Sequence, residues 1–218
     1  MSQNFNSPGQ QSQMPFATMR GFIRQRREDV ERCELCATEL SDEHDHLFEP
    51  VSRQLVCACS ECLVSTGQQD KLTYLRLSRR IVYLEDFNMP DGLWDSLMIP
   101  VGMAFFFYNT PAKRVMAFYP GPAGATESLL GLDAWEELVA ENPVLARMQP
   151  DVEALLVNRL QGTRDYYLVP IDKCYEMAGL LRVHWRGLSG GLTVWAEIAR
   201  FYAGLKEKAA PLGEKPGE

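Results

Sequence analysis

The most apolar run of the chain lies near its middle, at residues 101–108. It contains almost no polar residue, and it therefore predicts a strand that is buried on both faces at the centre of a sheet. A Thr-Pro-Ala-Lys turn follows, and the apolar residues at 114–120 predict a hairpin partner. Further strand candidates are residues 72–77, 79–84 and 166–171, and residues 152–157 fit either a strand or a helix.

Helical spacing of apolar residues occurs in four other segments. Residues 90–97 and 132–140 each place apolar side chains on one face of a helix. A third helix is predicted with Asp172 as its N-cap, and a fourth with Thr193 as its N-cap. This mixture of strands and helices predicts a mixed α+β domain over residues 71–208.

The two ends and the first third of the chain have a different character. Residues 1–19 are rich in Gln, Ser, Asn and Pro and predict a disordered tail, and residues 209–218 predict a flexible tail. Residues 20–70 form a cysteine-rich module, in which residues 46–58 predict two short strands joined by a turn at Pro50. The predicted fold class is therefore α+β, with a small N-terminal module followed by a mixed α+β domain.

Five of the six cysteines and two of the three histidines lie between residues 33 and 62. They are Cys33, Cys36, His44, His46, Cys57, Cys59 and Cys62. Two cysteines separated by two residues can bind one tetrahedral ion from a single tight turn. Cys33/Cys36 and Cys59/Cys62 are two such pairs, with 22 residues between them. The spacing predicts one zinc ion bound by these four thiolates, in a module of zinc-ribbon or treble-clef type.

Other ligands and other metals fit part of the same pattern. Cys57 lies two residues before Cys59 and could replace it, and His46 could replace a thiolate. An iron–sulfur cluster also accepts cysteine ligands, although the ferredoxin spacings are absent from the sequence. A disulfide-linked or metal-free cluster is the remaining alternative. A bound metal would supply much of the folding free energy of the module, because the segment is too small to fold by apolar burial alone.

No catalytic set emerges from the sequence. Four thiolates around one divalent ion make a closed site, whereas a catalytic zinc keeps one position open. Glu43, His44 and Asp45 would be the groups to act on water at an open site, but charged residues in such a turn are more often solvated. Residues 121–128 lack the Gly-Lys-Ser/Thr of a phosphate-binding loop and predict a plain loop, and Cys174 is predicted to be a core residue. We therefore assign no catalytic residue.

The net charge and the short apolar segments argue against two classes of protein, those that bind nucleic acid without sequence preference and those that span a membrane. A net charge of −7 argues against sequence-independent binding of nucleic acid, which requires Lys and Arg facing the phosphates. The first residues have no apolar core of a secretory signal, and residues 101–108 are too few to cross a bilayer. We therefore expect a cytoplasmic protein without a membrane span, in which clustered cysteines are more often metal ligands than disulfides.

Six stretches carry a resemblance to a known family. They are CELC, HDHLFEP, RQLVCACSEC, IPVGMAFFFYN, YPGPAGATES and LVPIDKCYEMAGLLRVHWRG. Together they resemble an uncharacterised bacterial family whose members are often encoded beside genes for nickel–iron uptake hydrogenases, and the resemblance spans roughly residues 20–205. It implies a role in hydrogenase assembly, maturation or electron transfer, and it implies no catalytic residue.

These observations predict a non-enzymatic, zinc-binding accessory protein that docks to a protein partner, either a hydrogenase subunit or a maturation factor. The alternatives are an iron–sulfur electron-transfer protein and a zinc-dependent hydrolase. Four apolar residues in or near the small module are candidates for the docking surface, and packing against the larger domain accounts for them equally well. They are Phe22, Ile23, Phe48 and Leu63.

Overall fold

A computed structural model describes residues 30–69, 73–128, 132–187 and 189–210 of the 218-residue chain. The predicted tail at 1–19 lies outside these residues, as does most of the predicted tail at 209–218. The strands are β1 (Asp45–Glu49), β2 (Gln54–Ala58), β3 (Leu75–Arg76), β4 (Val82–Tyr83), β5 (Met103–Asn109), β6 (Arg114–Gly121), β7 (Gly124–Ser128), β8 (Glu153–Asn158) and β9 (Asp165–Pro170). The α-helices are α1 (Ser60–Gln69), α2 (Asp91–Ser96), α3 (Leu132–Glu141), α4 (Ile171–His184) and α5 (Gly191–Lys208).

Six strands form one antiparallel sheet in the order β4-β9-β8-β5-β6-β7. The apolar run forms β5 at an inner position of this sheet, as predicted, although the strand begins two residues later than expected. Successive side chains point to opposite faces of a strand. Met103, Phe105 and Phe107 therefore join the core on one face, and Ala104 and Phe106 join the core on the other.

Helices cover both faces of the six-stranded sheet. α4 and α5 pack on the face of Phe105, and the thiol of Cys174 is fully buried there, which confirms that Cys174 is a core residue. α2 and α3 pack on the face of Phe106, where the ring of Trp135 stacks on the phenylalanine at 5.7 Å between centroids. The mixed α+β class is confirmed. Among the described helices, none combines the length and the apolar character needed to cross a bilayer.

The cysteine-rich segment forms a second antiparallel sheet, in the order β2-β1-β3. β1 and β2 make the predicted hairpin, with His46 directly opposite Cys57. One face of the hairpin packs against Leu63 of α1 in a small core of its own. The strand β3 lies beyond residue 70 and pairs with β1, so the small sheet draws on both predicted domains.

The two sheets share part of one core. Phe48 of β1 is fully buried against the α4 face of the large sheet, and its ring meets that of Phe107 edge-on at 6.2 Å between centroids. Leu63 is also buried. Packing within the protein therefore accounts for Phe48 and Leu63, and neither belongs to a docking surface. Phe22 and Ile23 lie outside the described residues.

Three local predictions, one loop and two helix caps, are wrong, and one helix has no counterpart in the predictions. The predicted loop contains the edge strand β7 at Gly124–Ser128, because pairing with β6 satisfies the backbone of a strand whose one apolar side chain is Ala125. The helix α1 was not predicted, since its sequence SECLVSTGQQ has few apolar residues. α4 has Pro170 at its N-cap and α5 has Gly190, so Asp172 and Thr193 lie inside the first turns and do not cap.

Candidate metal centre

Three elements bring the paired cysteines together. Cys33 and Cys36 lie on a turn before β1, which is closed by a hydrogen bond of 2.7 Å from the Ala37 N–H to the Cys33 carbonyl. Ala37 has a φ of 64°, a left-handed conformation that reverses the chain after the second cysteine. Cys59 follows β2 directly, and Cys62 lies in the first turn of α1. The hairpin between the two pairs returns the chain so that they meet.

The four sulfurs have the spacing of ligands around one ion. We call Cys33, Cys36, Cys59 and Cys62 the four-cysteine cluster. Its Sγ atoms all lie within 4.8 Å of one another, and those of Cys36 and Cys59 are 3.6 Å apart. Four sulfurs at the corners of a tetrahedron, each about 2.3 Å from a central zinc, would be about 3.8 Å apart. All four cysteines are free thiols, so the cluster is not linked by disulfides.

The surroundings lower the pKa of two of the four thiols, Cys33 and Cys36, and raise the pKa of the other two, Cys59 and Cys62. Burial raises the pKa of Cys33, but backbone N–H groups that donate to its sulfur outweigh burial, and the net pKa is lowered. The hydroxyl and the backbone N–H of Thr38 lower the pKa of Cys36 to about 6. Hydrogen bonding to Cys36 raises the pKa of Cys62 to about 12. Without a cation these crowded groups share protons, whereas a divalent ion would hold all four as thiolates.

Cys57 and His46 lie in a separate group of candidate ligands. A ring nitrogen of His44, a ring nitrogen of His46 and the Sγ of Cys57 all lie within 4.8 Å of one another. We call these three residues the histidine–cysteine group. His44 precedes His46 by two residues and so shares its side of the hairpin, and Cys57 is the cross-strand partner of His46. The sequence prediction treated Cys57 and His46 as substitutes within the four-cysteine cluster, and the structure places them beside each other and beside His44.

Each member of the histidine–cysteine group has polar neighbours. Nδ1 of His44 is 3.0 Å from the carbonyl of Ser41, and Nδ1 of His46 is 3.1 Å from Oδ2 of Asp172. The backbone N–H of Cys57 donates to the Glu34 carboxylate at 2.9 Å. Burial raises the pKa of the Cys57 thiol to about 11, and the carboxylates of Glu34 and Glu31 act in the same direction.

Asp45, another residue considered for an open site, has a different partner. Asp45 pairs with Arg79 at 2.8 Å, and it points away from the histidines because it alternates with them along the strand. Sequence reasoning missed Asp172 as a partner of the site. It lies 126 residues from His46 along the chain, and only the packing of α4 against the hairpin brings the two together.

Comparison with curated proteins and comparison with solved structures find no match. A family model described as a family of unknown function, DUF5947, matches residues 32–209, which is more than half of the chain and includes every candidate ligand named above. The prediction of an uncharacterised family is confirmed, and the association with hydrogenases stays a prediction. The chain belongs to the DUF5947 family.

Proposed function

We propose that the four-cysteine cluster binds one zinc ion and that this centre is structural. The observation that carries the proposal is the convergence of four free thiols from two chain segments, all within 4.8 Å of one another. Four protein ligands fill a tetrahedral zinc site and leave no position for a substrate. Backbone N–H groups directed at Cys33 provide the second layer of support that thiolate ligands require.

The same spacing supports a single ion over a polynuclear iron–sulfur cluster. Such a cluster divides its cysteine ligands among different iron atoms, and sulfurs on different irons lie farther apart than the ligands of one ion. Here all four Sγ atoms lie within 4.8 Å of one another, which suits four ligands of one ion. Zinc is the preferred ion because it is commonly found on four thiolates in structural sites of this size.

We infer that the module is of the treble-clef type. Its order is a cysteine turn, a β-hairpin and then a helix that begins at the second cysteine pair. A zinc ribbon would instead carry the second pair on another turn between strands. The position of Cys62 in the first turn of α1 therefore favours the treble clef.

We propose a non-enzymatic role in which the zinc module docks to a hydrogenase subunit or a maturation factor in the cytoplasm. The closed ligand set supports a non-enzymatic role, and the resemblance to a family often encoded beside hydrogenase genes implies the class of partner. The module also exposes apolar side chains beside the cluster. Leu35, between the first two cysteines, is 40% exposed, and Val64 of α1 is 63% exposed.

The test combines metal analysis with capture of named partners. Protein purified without oxygen should be colourless and contain zinc, and an iron content with a brown colour would overturn the zinc assignment. Tagged protein in its native cell should capture hydrogenase subunits or maturation factors, identified by mass spectrometry. Val64→Asp should abolish this capture, and Val183→Asp should preserve it, because Val183 is as exposed, at 61%, but lies on α4. Equal capture by both variants, or metal-dependent hydrolysis of esters or phosphodiesters, would contradict the proposed role.

A further inference from the structure

We propose that the histidine–cysteine group is a second metal site, which binds a divalent zinc-type ion through His44, His46 and Cys57 and leaves one coordination position open. Three protein ligands of this kind, completed by water, are the usual composition of an open zinc site. The three ligand atoms lie within 4.8 Å of one another, which is close enough for one ion to contact all three. This inference goes beyond the proposed structural zinc, because the two sites share no ligand.

The hydrogen bonds of the two histidines fix which nitrogen is available to a metal. The carbonyl of Ser41 can only accept, so Nδ1 of His44 carries the hydrogen and Nε2 carries the lone pair. The Asp172 carboxylate sets the same tautomer in His46. Metal-bound histidines typically donate their other ring N–H to a carboxylate or a backbone carbonyl, and this group has one of each.

Two buried atoms beside the site lack a partner. The side chain of His44 is only 7% exposed, and its Nε2 forms no hydrogen bond to any described residue. Oδ1 of Asp172 is likewise buried and unpaired within the described part of the chain. Buried polar atoms without partners are costly, and each calls for an explanation. A cation bound at Nε2 of His44 satisfies that nitrogen, and it strengthens the bond between His46 and Asp172.

The charges around the group favour a cation. Oε2 of Glu31 lies 3.4 Å from Nδ1 of His44, Oε1 of Glu34 accepts the Cys57 N–H, and Asp172 contacts His46. Two neutral imidazoles and one thiolate leave a divalent ion with a net positive charge, which these three carboxylates offset. Nitrogen and sulfur ligands select a borderline-soft ion such as Zn²⁺ over Mg²⁺ or Ca²⁺.

A metal bound to this group would link the hairpin to the helix α4. His46 and Cys57 lie on the side of the hairpin that carries Phe48 into the core of the large sheet, and Asp172 belongs to the first turn of α4. An ion here would tie the hairpin, through His46 and Asp172, to the helix that covers the large sheet. His46 is 29% exposed at its side chain, so water or a small anion reaches the open position.

Metal content distinguishes two sites from one. The full chain is equilibrated with excess Zn²⁺, freed of unbound metal by gel filtration and analysed for zinc per chain. We expect two zinc ions in the wild type, one in Cys57→Ser and one in His44→Ala. His184→Ala and Cys174→Ala are matched controls outside both groups and should retain two. One zinc in the wild type, or two in Cys57→Ser, would overturn the proposal.

Cobalt tests the ligands without relying on stoichiometry. In protein prepared with Co²⁺, the difference spectrum between wild type and Cys57→Ser should show ligand-field bands and the charge-transfer band of a single thiolate. Azide should change this difference spectrum and leave the spectrum of Cys57→Ser unchanged, because only the second site has an open position. A cobalt spectrum of Cys57→Ser that equals that of the wild type would contradict the second site. If the protein takes up no second zinc but gives an intense visible band when Cu²⁺ is added, the assignment of a zinc-type ion is wrong.

Asp172→Asn tests the positioning of His46. Loss of an outer carboxylate partner typically weakens metal binding by about 10–100-fold, so the affinity for the second zinc should fall by about that factor while the first zinc is retained. Circular dichroism and the retained first zinc show that the variant is folded. An unchanged affinity for the second zinc would contradict the assigned geometry.

Discussion

Replacement of Phe48 by Ala tests whether the cysteine-rich module and the large sheet fold as one unit. Phe48 belongs to the small sheet, is 0% exposed and meets Phe107 of β5 edge-on. Removal of a buried phenylalanine ring costs about 3–5 kcal/mol, of which about 0.5–1.5 kcal/mol is attributable to an aromatic pair of this kind. We therefore expect the free energy of unfolding to fall by about 3–5 kcal/mol, which is a large fraction of the stability of an ordinary domain.

The assay is a guanidinium titration at constant zinc concentration, followed by tryptophan fluorescence. The four tryptophans all lie outside the cysteine-rich module, so they report on the large sheet and its helices. Val51→Ala is the matched control, because Val51 is 75% exposed at the hairpin turn and should change the stability very little. If Phe48→Ala leaves the tryptophan transition unchanged and affects only the metal centre, the shared core is refuted.

Three further predictions concern the core, the thiols and the metal. Phe106→Asp places a charge between the sheet and α3 and should abolish soluble expression. Tyr108→Asp is the control and should express, because Tyr108 is a 36% exposed position of the same strand. Soluble yields of both variants that match the wild type would contradict the burial of β5. In metal-free protein at pH 7, iodoacetamide should label Cys36 first, because its pKa of about 6 leaves it as a thiolate. The rate of Cys36 labelling should fall as the pH drops through about 6. Peptide mapping should find the buried Cys174 unlabelled, and equal labelling of the two cysteines would contradict this prediction. Chelation of the zinc should lower the thermal midpoint in calorimetry and its return should restore the midpoint, and an unchanged midpoint would show that the metal does not support the fold.

Local pattern predicted the features that depend on neighbouring residues. The apolar run predicted the buried inner strand β5, since a strand that faces two helical layers needs apolar residues at every position. The Cys-x-x-Cys spacing predicted that Cys33 and Cys36 converge with the second pair, because two residues between cysteines direct both sulfurs to one side of a turn.

Features that depend on distant packing were not predictable from the same patterns. The edge strand β7 and the polar helix α1 are stabilised by their neighbours and not by an apolar stripe of their own. Asp172 also depends on distant packing. Its place after Pro170 predicts a helix cap, whereas the packing of α4 against the hairpin directs its carboxylate to His46. The register of the hairpin places Cys57 opposite His46, and the spacing of the cysteines does not contain that register.

Zinc X-ray absorption on the Cys57→Ser variant tests whether the four-cysteine cluster binds zinc through sulfur alone. This variant keeps the four-cysteine cluster and removes the sulfur of the histidine–cysteine group, so its zinc reports on the cluster. We expect one zinc per chain with four sulfur neighbours at about 2.3 Å and no nitrogen or oxygen neighbour. Zinc bound to nitrogen or oxygen, or a chain that holds no zinc, would contradict it.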